Sequence, residues 1–300
     1  MTAMPELPEV ETVVRDLRRK VLGRRITKVW SDAPKLVKRP TYRLFARRLV
    51  GARLIRVERR GKNILIHLDQ DRLLLIHQKM TGHLLVGKWR FVRRRGRSAA
   101  ESVLSGPFSE PVNQYVHVVF TLDDGRMLGL SDLRKFAKIL LGPRGEIETL
   151  PDLTALGPEA LAPDLNEKIF SELLHRERRR IKDVLLDQRV VAGIGNIYSD
   201  DILWLARVHP SRRARTLPVA ARKAVYQAMR KLLAKSIVLR GASMSDFRDT
   251  AGRPGGYGPV RLVYQRDGAP CLRCGTLIQH MKVGGRTARY CPKCQKPPKK

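Results

Sequence analysis

Apolar residues recur along this chain in three successive rhythms. Val10, Val13, Val14, Leu17 and Val21 are spaced as one buried face of a helix. Pro8 suits the first turn of that helix, Glu9 and Glu11 suit the positive end of its dipole, and Gly23 suits its stop. From residue 24 to 141 the rhythm shortens to β-rich runs over 25–31, 52–59, 63–68, 73–77 and 116–122. The last run leads into a hairpin turn at Asp123-Asp124-Gly125. Short strands at this spacing predict a β-sandwich. Residues 92–114 interrupt it as a polar loop containing Pro, Gly and Ser, and 142–151 reads as a linker. Helical spacing then returns over 153–161, 166–174, 180–187, 197–207 and 218–240, as in a helical bundle. No internal repeat of useful length is present.

Charge changes the picture. Among 300 residues, Lys and Arg total 60 against 28 Asp and Glu, a net charge of +32. Each half of the chain carries +16, so the excess is not a basic tail. An apolar fraction of 43% suffices for folded domains. No apolar run approaches the length of a membrane span, and no signal-peptide core opens the chain, so an intracellular protein is expected. A folded protein basic over its whole length points to a polyanionic partner, above all nucleic acid. A ribosomal protein or a merely basic surface is the alternative.

The four cysteines, Cys271, Cys274, Cys291 and Cys294, all lie within the last thirty residues as two C-x2-C pairs. That spacing suits a tetrahedral tetrathiolate zinc site. Two disulfides or a redox pair are the alternatives, and a reducing compartment disfavours the former. Four thiolates leave no open coordination position, so one structural Zn2+ per subunit is expected.

Two further segments carry candidate chemistry. In DQRVVAGIGNIYSDDILW (187–204), Gly193 and Gly195 form a turn ahead of a new helix, with Asn196 as its expected N-cap. The exposed amides of such a helix start can bind phosphate, although a tight turn between packed helices explains them equally well. Near the N-terminus, Met4-Pro5-Glu6 offers a different chemistry. With Met4 as the true start and then removed, Pro5 presents a secondary amine titrating near ~7.7–8.0. Such an amine can attack the anomeric carbon of a sugar to give a cationic iminium, an electron sink for phosphate elimination. Glu6 could shuttle protons. On the residues alone, a helix-leading proline with acidic neighbours is the simpler reading.

MPELPEVE at 4–11, GIGNIY at 193–198 and the terminal C-x2-C followed by GRTARYCPKCQ resemble, in order, the formamidopyrimidine-DNA glycosylase family. The PELPEVE start is similar to the Fpg/MutM branch rather than the endonuclease VIII branch. The resemblance runs from Pro5 to about Gln295. It implies an α+β fold: an N-terminal helix with a two-layer antiparallel β-sandwich, then a helical domain with a helix–two-turn–helix motif and a four-cysteine zinc-finger β-hairpin. The expected divisions are a catalytic domain at 4–144, a linker at 145–155, a DNA-binding helical domain at 156–265, a zinc hairpin at 266–295 and a basic tail at 296–300.

By the same resemblance, Pro5 is the nucleophile, Glu6 the general acid/base, and Lys62 a catalytic lysine touching a phosphate by the lesion. Met80, Arg134 and Phe136 fill the space left by an extruded nucleotide, with Phe136 as a wedge and Arg134 on the orphaned cytosine. Asn196 and Arg286 bind backbone phosphates, and 241–262 holds the lesion-capping loop. The implied activity is excision of oxidised purines from double-stranded damaged DNA, with β,δ-elimination at the resulting abasic site. A monomer in the bacterial cytosol or nucleoid is implied, with no membrane partner.

As written, Met1-Thr2-Ala3 precede Met4, which would make Pro5 an internal imide without a nucleophilic lone pair. The expectation is therefore that Met4 is the start, or that the extra residues are removed. Otherwise the catalytic role shifts toward Lys62, or the chain is an inactive lesion-binding relative. The 92–114 loop is also longer than is usual for the family.

Overall fold

The computed structural model describes residues 4–94 and 96–298; Met1-Thr2-Ala3 and the end of the expected basic tail lie outside them. The chain forms two compact units. One comprises the chain up to Thr154 together with Leu239–Gly256; the other comprises Ala155–Val238 and the chain from Tyr257 onward.

The first unit opens with α1 (Leu7–Lys20). Two sheets follow, built from β1 (Ile26–Ser31), β2 (Val37–Arg39), β3 (Leu54–Arg60), β4 (Asn63–Leu68), β5 (Arg72–His77) and β6 (Gly82–Gly87), with α2 (Tyr42–Leu49) between β2 and β3. After β7 (Trp89–Arg94) and β8 (Arg97–Ser102) come β9 (Val116–Leu122), β10 (Met127–Asp132) and β11 (Lys138–Pro143). One sheet has the order β1-β9-β10-β6 and the other β2-β11-β5-β4-β3. Pairing is antiparallel throughout except at β2, which lies parallel to β11, a departure from the all-antiparallel sandwich expected.

Alternation along the strands explains the layers. Leu84, Val118, Phe120, Leu128 and Leu130 of one sheet, with Ile64, Ile66, Leu74, Ile76 and Ile139 of the other, form one core together with the Val10, Val13, Val14 and Leu17 face of α1. Leu65 of β4 and Leu73 and Leu75 of β5, which point the other way, are also apolar, so these runs are nearly continuous, as befits strands buried on both faces. Leu65, Leu73, Leu75 and Leu140 bury against Ile147 and Leu153. These two come from α3 (Arg144–Glu148) and α4 (Pro151–Thr154). The segment expected as a linker is thus a layer of the fold, because Ile147 and Leu153 complete an outer core.

The polar loop expected over 92–114 is also corrected. Its first part is the β7–β8 hairpin, and two 3-10 turns follow at Gly106–Ser109 and Pro111–Gln114. The alternation starts at Trp89, ahead of the polar stretch at 92–114. Trp89, Ala100 and Phe108 bury Leu85 and Val119 on the outer face of the four-stranded sheet.

The second unit contains α5 (Glu167–Arg176), α6 (Ile181–Leu186), α7 (Asn196–Leu205) and α8 (Val219–Val238), then the hairpin β12 (Gln279–Val283) and β13 (Arg286–Tyr290). No helix covers 153–161 beyond α4. Gly157 passes so close to the Arg189 carbonyl that a Cβ would sit 2.4 Å from its oxygen. The Gly157 and Ala192 amides donate to the carbonyls of Gln188 and Pro158 at 2.9 Å each. These non-local bonds replace a helical ladder. The expected helical domain at 156–265 is likewise interrupted, since 239–256 packs within the first unit.

Candidate active site, nucleic-acid interface and metal centre

Pro5 and Glu6 lie at the start of α1, both buried, and Glu6 is its N-cap. The Glu6 amide donates to Glu9 Oε2 at 2.8 Å, and the Ala242 amide donates to Glu9 Oε1 at 2.6 Å. Glu9 therefore clamps the helix start to the 241–256 segment. Sequence reading assigned Glu9 only to the helix dipole; an acid three residues after the N-cap, the placement of a capping box, was the signal that could have shown more.

Lys62 sits in the two-residue turn Gly61-Lys62 between β3 and β4. Arg18 Nε donates to the Val57 carbonyl at 2.6 Å, and Arg59 Nε donates to Glu11 Oε2 at 3.0 Å. Moving toward the N-terminus of α1 thus moves toward the turn, which brings the Pro5–Glu6 end to the Lys62 end. Lys62 is only 6% exposed, unlike a solvated charge beside Arg59 and Arg60. Its neighbour His77 has its pKa pushed down to about 3 by burial, then by the ammonium groups of Lys79 and Lys62. The Lys79 amide donates to His77 Nδ1 at 3.0 Å, which fits a neutral ring.

Met80 occupies the β5–β6 turn, half-buried. That turn is so tight that a Cβ on Gly82 would lie 2.4 Å from the Gln78 carbonyl oxygen. Arg134 and Phe136 occupy the β10–β11 turn, both exposed, with the guanidinium 4.4 Å from the ring centroid. Gly82 pairs with Asp132, so the two turns are neighbours. Thr81 Oγ1 donates to Asp132 Oδ1 and accepts the Arg134 amide at 3.2 Å, while the Ala137 amide donates to Asp132 Oδ2 at 2.7 Å. Asp132, fully buried, is the residue that ties all three expected void-fillers together. Only its place in SDLRKF hinted at this.

In the second unit, Gly195 rather than Asn196 is the N-cap of α7, because Gly195 has the extended backbone and Asn196 is already helical. Asn196 Oδ1 is buried and makes no hydrogen bond among the described residues. Rotating that amide would present its N–H2 at the same helix start. Gln188 supports the turn, accepting from the Gly193 amide at 2.8 Å and donating to the Ile194 carbonyl at 2.7 Å.

The four cysteine Sγ atoms all lie within 4.8 Å of one another, and none forms a disulfide. The Cys274–Cys291, Cys274–Cys294 and Cys271–Cys294 separations are 3.5, 3.5 and 4.0 Å. A tetrahedron of sulfurs at the usual Zn–S length has edges of about 3.8 Å, so the donor set fits one structural zinc ion. Trp204 Nε1 donates to Cys271 Sγ at 3.3 Å, and amides of Arg273 and Cys294 donate to Cys271 and Cys291 sulfurs.

Arg286 is exposed at the turn end of the hairpin. Asp200 of α7 holds the hairpin through Lys182, and Asp201 holds the 257–264 segment, roles sequence reading missed. Lys182 Nζ donates to Asp200 and, at 3.0 Å, to the Thr287 carbonyl. Asp201 accepts from the Tyr257 hydroxyl at 2.6 Å and from the amides of Leu262, Val263 and Tyr264 at 2.8–3.1 Å. Adjacent acids in an otherwise apolar helix were the available signal.

The chain is similar to known proteins over nearly its whole length. Three family models match it: the formamidopyrimidine-DNA glycosylase N-terminal domain at 4–139, its H2TH domain at 156–248, and the zinc finger found in FPG and IleRS at 268–297. Formamidopyrimidine-DNA glycosylase of Pelotomaculum thermopropionicum is 39% identical over 293 residues, covering 98% of this chain and 99% of the relative. The crystal structure of Lactococcus lactis Fpg (MutM) with N7-benzyl-Fapy-dG DNA aligns at TM-score 0.84 and 30% identity, over 98% of this chain and 100% of the other. A structure of MutM with carbocyclic 8-oxo-G DNA aligns at TM-score 0.83 and 31% identity, with the same coverage. With these matches spanning both units and the metal centre, the chain belongs to the formamidopyrimidine-DNA glycosylase family.

Proposed function

We propose that this chain excises oxidised purines, 8-oxoguanine and formamidopyrimidines, from duplex DNA and then cleaves the strand by β,δ-elimination. The observation that carries the reading is the buried Pro5-Glu6 pair at the head of α1, clamped through Glu9 and facing the turn of the buried Lys62.

The Pro5 amine attacks C1′ of the extruded nucleotide. The bond from C1′ to the base breaks, and the departing base takes a proton. Opening of the sugar ring, with Glu6 protonating O4′, leaves a cationic iminium between Pro5 and C1′. That cation withdraws electrons, so loss of a C2′ proton expels the 3′-phosphate, and a second elimination expels the 5′-phosphate. Lys62 supplies a positive charge to a phosphate beside the lesion. Phe136 and Met80 offset the few kcal/mol of unstacking, and Arg134 bonds the unpaired base. Asn196 and Arg286 hold phosphates from the second unit. Zinc takes no part in these steps; it closes the hairpin that presents Arg286.

The reading requires a mature N-terminus at Pro5, and the family match opening at Met4 supports it. A monomer in the bacterial cytosol or nucleoid fits it, and among the described residues no helix is long and apolar enough to cross a membrane. Excision of 8-oxoguanine opposite cytosine should far exceed excision of thymine glycol. Equal or reversed rates would reassign the substrate class to oxidised pyrimidines.

A further inference from the structure

Beside the zinc knuckles, at the opposite end of the hairpin from Arg286, lies a concavity of about 480 Å³ lined by Arg207, Arg212, Arg273, Lys293 and Lys296. Cys274 and Cys294 complete its wall, and no carboxylate lines it. Among the described residues, none of the five cations forms an ion pair. From Arg286 to Tyr290 at the hairpin base is four residues, or about 14 Å of strand. The concavity is therefore separate from the phosphate contact expected of Arg286.

Two of its arginines are held in ways that a solvated charge does not require. Arg207 has φ +55° and follows α7 in the left-handed position where helices usually end on glycine. The Val208 amide donates to the Leu203 carbonyl at 2.9 Å and the Arg207 amide to the Trp204 carbonyl at 3.1 Å, the two bonds of that terminus. A side chain there carries a backbone cost that glycine avoids. The Arg273 guanidinium lies 4.0 Å from the Trp204 ring centroid and donates to the Trp204 carbonyl at 3.2 Å. That fixes its plane and leaves most of its five N–H groups available.

A zinc ion with four thiolates carries a net charge of −2, which two of the five cations would balance. The remaining positive charge faces the opening. We propose that this concavity is a further anion subsite of the protein, taking a phosphate group. Its source is either the backbone of bound DNA, in which case the subsite extends the proposed DNA contact, or a free phosphate or pyrophosphate.

Arg207→Gly tests the proposal without threatening the fold, since glycine relieves the left-handed backbone. Zinc content and thermal midpoint identify intact protein. Calorimetric titration of pyrophosphate into the full-length zinc-loaded chain should saturate, and the variant should bind at least tenfold more weakly while its melting midpoint holds or rises. For undamaged duplex, the slope of log K against log salt should fall by about 0.9 per lost phosphate if DNA supplies the group. An unchanged slope with weakened pyrophosphate binding assigns the subsite to a free anion. If pyrophosphate binding and the salt slope both match the parent, the cations only balance the thiolates and the proposal fails. Reductive trapping of abasic DNA by the same preparations reports separately on the lyase reading.

Discussion

The carboxylate of Glu9 accepts the Ala242 backbone N–H at 2.6 Å, joining the first helix of the chain to a segment more than two hundred residues later. Its other oxygen takes the Glu6 amide, so one buried side chain fixes both the proposed general acid/base and the start of the expected capping region. Hydrogen bonds to an ionised group contribute about 1.5–3 kcal/mol each. With two such bonds, Glu9→Ala should destabilise the protein by about 3–6 kcal/mol, and Glu9→Gln by less. Urea midpoints at constant slope measure this, and a loss below about 0.5 kcal/mol for Glu9→Ala would remove the clamp from the account.

Asp132 should matter for excision more than for stability. Asp132→Asn keeps the size of the side chain but loses the charge that orders the Arg134–Phe136 turn against Thr81. Misplacing such groups by about 1 Å can cost 10²-fold. Single-turnover excision from duplex should fall by roughly ten- to a hundredfold, with cleavage of a preformed abasic site less affected. Equal losses on both substrates would argue that the turn does not serve base extrusion.

His77 gives a pH signature. Its folded pKa, near 3, lies below the ordinary histidine value, so the unfolded chain takes up the proton first. Stability is then full above about pH 6.5 and is lost as pH falls toward 3, at no more than about 1.4 kcal/mol per pH unit from this group. Lys79, Lys62 and Lys138 oppose protonation, and Asp152 favours it. His77→Gln should flatten the slope of thermal midpoint against pH between 6.5 and 4. An unaltered slope would show that the ring is accessible to protons in the folded protein.

Zinc removal should act on binding and on the second unit. The cysteine cluster rests on a small apolar patch of Trp204, Val263 and Ile278 with Leu205 and Leu262 at its edge, so metal binding replaces much of the missing burial. Chelation should release one zinc per chain and weaken duplex affinity at least tenfold, with the hairpin amides losing exchange protection. Full affinity in metal-free protein would contradict that role.

Legibility followed range of interaction. The helix over Leu7–Lys20, the runs at 63–68 and 116–122 and the cysteine spacing are local patterns, and each stands in the fold as expected. The missing helix at 153–161 and the β7–β8 hairpin were misread because partners far along the chain decide them: Arg189 against Gly157, and Leu85 and Val119 beneath Trp89. Glu9, Asp132 and Asp201 were passed over for the same reason. Each is a common acid whose importance lies in the backbone amides it accepts from; only the Glu6–Glu9 bond is local enough for a capping spacing to show, and the bonds from Ala242, Ala137 and 262–264 are not.

The central claim is a covalent bond between the Pro5 nitrogen and deoxyribose C1′, and borohydride trapping tests it most directly. Protein verified by mass spectrometry to begin at Pro5, mixed with abasic-site duplex and reduced, should give a stable adduct that maps to the first peptide. Pro5→Gly should trap far less. No adduct from the verified preparation, or an adduct mapping to Lys62 alone, would contradict it.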